Sequence, residues 1–255
     1  MSHLWGAQFM STKNPRCTWV IPCYNEANRL PYSKYVHFLK ANTTSFLWFV
    51  NDRSIDDTMA VLDKLQKKFP DTVGLLNLNK NVGKADAVRQ GVIKALETSN
   101  TQSIGYLDAD LSTSLEEADL LSHKISTSCN FVFGSRILKL DNVIERKWYR
   151  FFIGRVVATA ISRILQIEVY DTQCGCKVFS REWARVAFDK PFLSRWLFDV
   201  ELFFRLMRFV GKNNFLSQSR EVPLKQWIDT ADSRVSWSYG LKLWWDLFKI
   251  WKTYR

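Results

Sequence analysis

Short apolar runs alternate with amphipathic stretches along the first half of the chain. Runs of strand length occur at 18–21, 46–50, 73–78, 104–107 and 130–133. Helical periodicity appears between them at 31–41, 56–69, 85–96 and from Ser114 onward. Strands that alternate with amphipathic helices predict an α/β fold, with a mainly parallel, Rossmann-like sheet that right-handed crossovers connect and helices flank.

Beyond residue 135 the pattern becomes mostly helical. Helices are predicted at 150–165, 181–188, 199–210 and 239–255, a turn and a strand at 171–179, a turn at 211–214, and a strand at 221–224. Pro223 cannot donate a ladder hydrogen bond, so the last strand is expected at a sheet edge. The sequence predicts a tail over 1–16, one α/β domain over 17–235 and a C-terminal amphipathic helix over 236–255.

The composition narrows the classes of partner and compartment. The chain has 255 residues, of which 47% are hydrophobic, and a net charge of +11. That charge favours an anionic partner such as a phosphorylated substrate, a nucleic acid or a membrane surface. The five cysteines show no disulfide framework, and no signal peptide or transmembrane helix is recognised. We therefore expect a cytoplasmic protein.

The predicted C-terminal helix is rich in tryptophan and lysine. One face comprises Leu241, Trp244, Trp245, Phe248 and Trp251, and another comprises Lys242, Asp246, Lys249 and Lys252. Such a helix is typical of a peripheral attachment to a membrane surface, but the same aromatic stripe could pack on the core, and both interpretations stay open. Because the basic residues alternate with this stripe and no reading motif is present, nucleic acid is not expected as a partner.

Two carboxylates directly follow the apolar run at 104–107. Asp108 and Asp110 are two residues apart, so on a strand both side chains point to the same side. At the C-terminal end of a central parallel strand they would lie where α/β sheets bind ligands. Paired carboxylates suit Mg²⁺ or Mn²⁺ when a bound diphosphate supplies further oxygens. The alternative is a polar turn in which an aspartate caps the next helix.

Six short motifs occur in order, and together they resemble a known family. They are Val20-Ile-Pro22-Cys-Tyr24-Asn25-Glu26, Asn51-Asp52 to Asp56, Asn81-Val-Gly83-Lys84, Asp108-Ala-Asp110, Gly134-Ser-Arg136 and Asp171-Thr-Gln-Cys-Gly-Cys-Lys177. The chain resembles the inverting GT-A-type glycosyltransferases that load hexoses onto polyprenyl phosphates. With the stretch 195–202, the last motif is most similar to dolichyl-phosphate β-glucosyltransferases, which are related to dolichol-phosphate mannose synthases. Each motif alone is weak, but six in register are specific.

The resemblance implies a reaction and a role for each motif. The reaction is the transfer of a hexose, glucose from UDP-glucose, to a polyprenyl phosphate. The nucleotide sugar would be bound by Pro22, Tyr24, Glu26, Asp52, Lys84 and Asp108. Mg²⁺ or Mn²⁺ would be held by Asp110, Asp108 and Ser112. Phosphate groups would be bound by Arg136 and by Arg150 or Arg146, and Asp171 takes the place of the catalytic or orienting carboxylate.

Several alternatives remain open. Arg53 stands where the family has glycine and Ala85 replaces another glycine, which leaves GDP-mannose open as the donor. A sugar hydroxyl as acceptor would need Asp171 as a base, whereas a lipid phosphate is mostly dianionic near neutral pH and needs cations and orientation. Asp199 and Glu201 fit either a helix start or a catalytic role. A non-catalytic module that binds lipid or nucleic acid is the remaining alternative.

Overall fold

The protein is described by a computed structural model that covers residues 15–41, 44–145, 148–228 and 239–255, with only the backbone described at 145, 148–153 and 239–241. The strands are β1 (Cys17–Cys23), β2 (Ser45–Asn51), β3 (Val73–Asn77), β4 (Ser103–Leu107), β5 (Phe131–Ser135), β6 (Val143–Glu145), β7 (Cys176–Ser180), β8 (Ser219–Pro223) and β9 (Gln226–Ile228). The helices are α1 (Tyr32–Ala41), α2 (Thr58–Lys68), α3 (Lys84–Thr98), α4 (Leu115–Ser122), α5 (Trp148–Leu165), α6 (Arg181–Ala187), α7 (Phe198–Val210), α8 (Lys212–Ser217) and α9 (Tyr239–Tyr254).

A seven-stranded sheet forms the centre of the domain in the order β3-β2-β1-β4-β7-β5-β8. The strands β1 to β4 pair in parallel, and β8 pairs in parallel with β5 at the predicted edge. Only β7 runs against its two neighbours, β4 and β5. The predicted α/β class and mainly parallel sheet are confirmed, although the sequence pattern did not reveal the reversed strand.

Helices cover both faces of this sheet because its central strands are buried on both sides. Val20 points into a core cluster that includes residues of α3, α5, α6, α7 and α9. Its neighbours Trp19 and Ile21 point into a second cluster with residues of α1, α2 and α4. The alternation of side chains along a strand therefore divides the apolar residues of the chain between two cores.

Two short elements differ from the sequence-based prediction. The turn predicted at 211–214 is wrong, because helix α8 spans Lys212–Ser217 directly after Gly211. Phe215 in α8 is only 1% exposed, so packing stabilises a segment whose sequence favours a turn. The parallel pair of β6 and β9 was not predicted, since three-residue strands are too short to show a period.

Helix α9 packs on the core, but with a different face from the predicted aromatic stripe. Leu247 and Ile250 are fully buried in the first core cluster. Trp244, Trp245 and Phe248 are 46%, 57% and 46% exposed. The helix therefore packs an aliphatic face on the core and leaves most of the predicted aromatic stripe exposed. Attachment of this exposed face to a membrane stays a prediction. Within the described ranges, no helix is both long and apolar enough to cross a bilayer.

Candidate active site

The loops that follow β1 and β2 are joined at the carboxyl edge of the sheet. Strand β1 extends beyond the apolar run at 18–21, through Pro22, and stops at Cys23. Beyond it, the Asn25 amide donates to Oγ of Ser54 at 3.0 Å, and the Glu26 amide donates to Oγ1 of Thr58 at 2.6 Å. These hydrogen bonds place Tyr24 and the buried Glu26 beside the end of β2, which is the edge where open α/β sheets bind ligands.

Asp52 holds the turn that leads into α3. Its two carboxylate oxygens accept hydrogen bonds from the amides of Val82 at 2.7 Å and Gly83 at 2.8 Å. Burial raises the pKa of Asp52, while the two amides and nearby Arg195 act in the opposite direction. Because both oxygens are occupied by the turn, the geometry supports an organising role for Asp52. Its contact with a nucleoside base stays a prediction.

Arg53 adopts the backbone conformation that explains why the family has glycine at this position. Its φ is +57°, in the left-handed region that costs most residues about 1–2 kcal/mol and costs glycine nothing. Leu111, next to Asp110, has a φ of +52°. Strained backbone of this kind is concentrated at functional loops, where the surrounding contacts maintain it.

Lys84 and Asp108 form an ion pair across the edge. The Nζ of Lys84 lies 2.5 Å from Oδ1 of Asp108. Burial lowers the pKa of Lys84, but the charges of Asp108, Asp199 and Asp110 more than reverse this, and the net pKa is raised. Lys84 is the first residue of α3, where the helix dipole disfavours a cation, so anionic groups beside it are needed. An incoming diphosphate could take over this partnership.

Asp108 lies against Gly175, in the turn that leads into the antiparallel strand β7. Its amide donates to the carbonyl of Gly175 at 3.2 Å. A Cβ on Gly175 would overlap Oδ2 of Asp108 and lie 2.5 Å from its Cγ. The glycine between Cys174 and Cys176 therefore makes the space that the Asp108 carboxylate occupies.

We expect Gly175→Ala to displace the Asp108 carboxylate, because the new methyl group and the carboxylate cannot occupy one volume. The hexose transfer that the resemblance implies should fall about 100-fold, since misplacing a site by 1 Å costs a factor of this order. Steady-state rates compared with those of Gly154→Ala check this, because a Cβ at Gly154 meets nothing within 4 Å. Equal activity of the two variants would contradict the packing argument.

Asp110 and Ser112 form the turn after β4. Oδ1 of Asp110 accepts a hydrogen bond from the Ser112 amide at 2.9 Å, and the Ser112 carbonyl accepts one from Ile228 at 3.3 Å. Among the described residues, no group of three or more His, Cys, Asp or Glu could hold a metal ion by itself. The two carboxylates Asp108 and Asp110 fit a divalent cation that takes its remaining ligands from a bound nucleotide. The role of the Ser112 side chain stays a prediction.

Arg136 and Asp171 make a bidentate pair at the end of β5. The Nε and Nη2 of Arg136 lie 2.6 Å and 2.8 Å from the two oxygens of Asp171, which also accepts from the amides of Arg136 and Gln173 at 3.1 Å. Burial alone would raise the pKa of Asp171, but Arg136 lowers it to about 2. Asp171 is therefore a permanent anion that orients Arg136 and is poorly suited to act as a base near neutral pH.

The backbone around Asp171 is fixed from two sides. Glu221 on β8 accepts the amides of Tyr170 and Asp171 at 3.0 Å and 2.8 Å. The guanidinium of Arg155 stacks 3.8 Å from the Tyr170 ring centroid and donates to its carbonyl. The Arg136 guanidinium also lies 5.3 Å from the ring centroid of Trp227. These contacts hold Arg136 at one position at the sheet edge.

Two further predicted phosphate ligands are not placed by the structure. Arg146 lies outside the described residues. Arg150 lies in α5, at a position where only the backbone is described. Their roles stay predictions.

Two cationic residues near the site belong to motifs quoted above, but no role was assigned to them from the sequence. Lys177 is fully buried and pairs with Asp199 at 2.6 Å. Its position between Cys176 and Val178, inside an apolar strand, could have indicated a buried lysine with an acidic partner. Arg195 lies against the turn before α3, where a Cβ on Gly83 would be 3.0 Å from its Cδ. No local pattern indicated that contact, because the two residues are far apart in the chain.

Glu201 has a structural role in positioning the loop before α7. It is fully buried and accepts the amides of Leu193 at 2.9 Å and Ser194 at 3.1 Å. The Oγ of Ser194 in turn donates to Asp246 of α9 at 2.8 Å. Asp246, which the sequence groups with three lysines on one helix face, is therefore buried. These bonds connect the loop that carries Arg195 to the C-terminal helix.

Comparison with known proteins identifies similar sequences and similar folds. A family model described as "Glycosyl transferase family 2" matches residues 18–188. A dolichyl-phosphate beta-glucosyltransferase of Trichomonas vaginalis is 33% identical over 252 residues, covering 91% of this chain and 70% of the relative. A dolichyl-phosphate beta-glucosyltransferase of Drosophila melanogaster is 29% identical over 257 residues, covering 92% of this chain and 74% of the relative.

The fold is also found in solved structures. Glucosyl-3-phosphoglycerate synthase from Mycobacterium tuberculosis, crystallised with Mn²⁺, UDP and phosphoglyceric acid, superposes with a TM-score of 0.66 at 15% identity. The match covers 93% of this chain and 78% of that one. At this identity the likeness shows the shared fold alone, which is the GT-A fold that the sequence motifs implied.

Proposed function

Because the chain belongs to glycosyl transferase family 2 and is a glycosyltransferase, we propose that it transfers glucose from UDP-glucose to a polyprenyl phosphate such as dolichyl phosphate. Direct displacement by one nucleophile would invert the anomeric centre. The names of the two relatives support glucose as the sugar and dolichyl phosphate as the acceptor.

The Arg136–Asp171 pair is the observation that favours a phosphate acceptor. A hydroxyl acceptor must lose a proton as it attacks and needs a nearby carboxylate with a suitable pKa. Asp171, the candidate for that role, has a pKa of about 2 and both of its oxygens bonded to Arg136. A lipid phosphate is already anionic near pH 7 and needs only a well-oriented cation. Arg136, whose side chain is partly exposed and held by Asp171, would supply that cation in a geometry suited to phosphate.

The leaving nucleotide would be bound at the opposite side of the edge by Lys84, Asp108 and Asp110. The two carboxylates would hold Mg²⁺ or Mn²⁺, which when bound neutralises the charge that develops on the diphosphate as the glycosidic bond breaks. Lys84 would exchange its bond to Asp108 for a phosphate oxygen. The loop with Tyr24 and Glu26 would enclose the nucleoside.

One experiment tests the whole assignment. The protein is incubated with UDP-glucose, Mn²⁺ and a polyprenyl phosphate, and the lipid fraction is analysed by mass spectrometry for a gain of one hexose. Parallel reactions contain a free sugar or the polyprenyl alcohol in place of the phosphate. A hexose on the free sugar or alcohol, with none on the phosphate, would overturn the proposed acceptor.

The donor is tested separately because Arg53 departs from the family pattern. Thermal unfolding is measured with UDP, GDP, UDP-glucose and GDP-mannose in the presence of Mn²⁺, since a ligand that binds the folded state raises Tm. We expect the largest shift with UDP-glucose. A larger shift with GDP-mannose would replace the donor while leaving the acceptor assignment intact.

We further propose that α9 attaches the enzyme peripherally to the cytosolic face of a membrane. Its exposed Trp244, Trp245 and Phe248 are suited to the interface, where aromatic rings are favoured. Lys249 and Lys252 on the same helix would attract anionic headgroups. A lipid-borne acceptor makes such attachment useful, because it keeps the site close to its substrate.

The double variant Trp244→Ser/Trp245→Ser should weaken binding to anionic liposomes by about tenfold or more while leaving the fold intact. Point variants are preferable to deleting α9, because Leu247 and Ile250 belong to the core and their loss would unfold the protein. Flotation assays measure the binding, with Leu120→Ser, an exposed apolar residue on α4, as the control. Unchanged flotation of the double variant would remove α9 from the membrane contact.

A further inference from the structure

A buried polar cluster at the start of α7 takes no part in the function as proposed so far. The Nζ of Lys177 donates to Oδ1 of Asp199 at 2.6 Å and to the carbonyl of Cys174 at 2.7 Å. The hydroxyl of Tyr106 donates to the same Oδ1. Lys177 is fully buried, and Asp199 is 5% exposed.

Stability does not account for this cluster. The rings of Phe188 and Phe198 lie 6.3 Å and 5.5 Å from Tyr106, so the surroundings are largely apolar. Replacing a buried ion pair with well-packed apolar residues is often neutral or stabilising, because desolvation offsets the attraction between the charges. Titratable groups that are nevertheless retained in such a place, next to a ligand-binding edge, are candidates for function.

Asp199 is connected through Lys177 to the part of the site that we assign to the donor, because Lys177 bonds both Asp199 and the carbonyl of Cys174. Although burial opposes the charge on Lys84, the carboxylates of Asp108 and Asp199 together raise the pKa of that lysine. The residue after Cys174, Gly175, lies against the carboxylate of Asp108. The buried cluster and the Lys84–Asp108 pair are therefore parts of one charge network at the end of β4.

One oxygen of Asp199 is left for a ligand. Both internal donors, Lys177 and Tyr106, bond to Oδ1. Oδ2 accepts no hydrogen bond from the other described residues. The side chain of Asp199 is 8% exposed, whereas that of Lys177 is fully buried. A carboxylate held by two donors on one oxygen can only accept on the other, and the hydroxyl groups of a hexose are donors.

We propose that Oδ2 of Asp199 accepts a hydrogen bond from a hydroxyl of the hexose in the donor, and that Lys177 and Tyr106 position this carboxylate. The inference rests on the proposed function, because it places the sugar beside the diphosphate site of Lys84. The donor's sugar is joined directly to its diphosphate, so a hexose bound there would lie close to the charge network of Lys84, Asp108, Lys177 and Asp199. Asp199 would then select the donor by its sugar rather than by its base.

The test compares the affinities for UDP-glucose and UDP, because their difference gives the contribution of the sugar to binding. Asp199→Asn retains a carbonyl for Lys177 and Tyr106 but presents an amide donor in place of Oδ2. By calorimetry with Mn²⁺ present, we expect affinity for UDP-glucose to fall about 10- to 100-fold, the range for a hydrogen bond to a charged group, with UDP unchanged. An equal loss for both ligands, or no loss for either, would overturn the proposal.

A second variant guards against misfolding, because Asp199→Asn leaves Lys177 without a counter-charge. The double variant Lys177→Met/Asp199→Asn removes both charges and should fold while still losing its preference for UDP-glucose over UDP. Glu182→Gln, which alters an exposed acid in the first turn of α6, is the matched control and should keep the preference. A well-folded double variant with the full wild-type preference would also overturn the proposal.

Modified donors identify the bonded hydroxyl and separate this inference from the proposed function. Replacing the relevant hydroxyl of UDP-glucose with hydrogen should weaken binding to the wild type but not to Asp199→Asn. If every deoxy donor weakened both proteins equally, Asp199 would not contact the sugar. If the wild type bound GDP-mannose instead of UDP-glucose, the donor assignment would fail, and the comparison of GDP-mannose with GDP would still test Asp199.

Discussion

Replacing Asp110 with alanine is expected to lower the rate of glucosyl transfer by about a thousandfold, the largest loss from any single change at the site. Asp110 and Asp108 are the paired carboxylates at the end of β4, and they are expected to hold the divalent cation that neutralises the leaving diphosphate. A loss of about 4 kcal/mol in transition-state stabilisation corresponds to this factor.

The measurement is the initial rate of lipid glucosylation over a titration of Mn²⁺, with and without excess EDTA. Wild-type activity should disappear in EDTA and return with the metal, whereas Asp110→Ala should stay inactive at every concentration. The control is Asp57→Ala, since Asp57 is an exposed aspartate whose side chain makes no capping hydrogen bond. Full activity of wild type in EDTA would rule out a divalent cation in the reaction.

Replacing Asp171 with asparagine is expected to reduce both stability and activity, because it leaves Arg136 without a counter-charge at a site where the aspartate is 7% exposed. Breaking a buried pair in this way typically costs about 3–5 kcal/mol of unfolding free energy. We also expect a fall of about 100-fold in the transfer rate, since Arg136 would no longer be held in one orientation. Urea unfolding and steady-state kinetics measure the two effects.

The pair also makes a testable contribution to the pH dependence of stability. Because the pKa of Asp171 is lowered to about 2 in the folded protein, against about 3.9 when unfolded, its stabilising contribution is present above about pH 4. That contribution, about 2–3 kcal/mol, should be lost as the pH falls from about 4 toward about 2. Asp171→Asn should abolish this part of the pH dependence.

An exposed ion pair offers the control for this variant. Asp63→Asn disrupts the pair with Lys67 on α2, whose side chains are 41% and 75% exposed. Such pairs contribute at most about 1 kcal/mol, so the control should be nearly as stable as the wild type. If Asp171→Asn were no less stable than Asp63→Asn, the Arg136–Asp171 pair would be an ordinary surface contact.

The α/β class and most of one edge of the site could be predicted from local sequence patterns. Apolar runs of strand length and helical stripes between them are local patterns, because side-chain burial repeats with the period of each element. Parallel strands place their carboxyl ends together, so the positions of Asp52, Lys84 and Asp108 after successive strands are enough to group them at one edge. The GT-A fold and the glycosyltransferase family followed from the same motifs.

The partners of these residues could be identified only in the folded chain. Three such contacts join segments that are separated in the chain. They are the antiparallel pairing of β7 with β4, the bidentate pair of Arg136 with Asp171 and the ion pair of Lys177 with Asp199. The outward face of α9 was likewise settled by which residues the core accepted. The periodicity of the sequence indicates whether a side chain is buried. Which residue it contacts depends on the order of the strands and the packing of the helices, and these are set by parts of the chain that are distant in sequence.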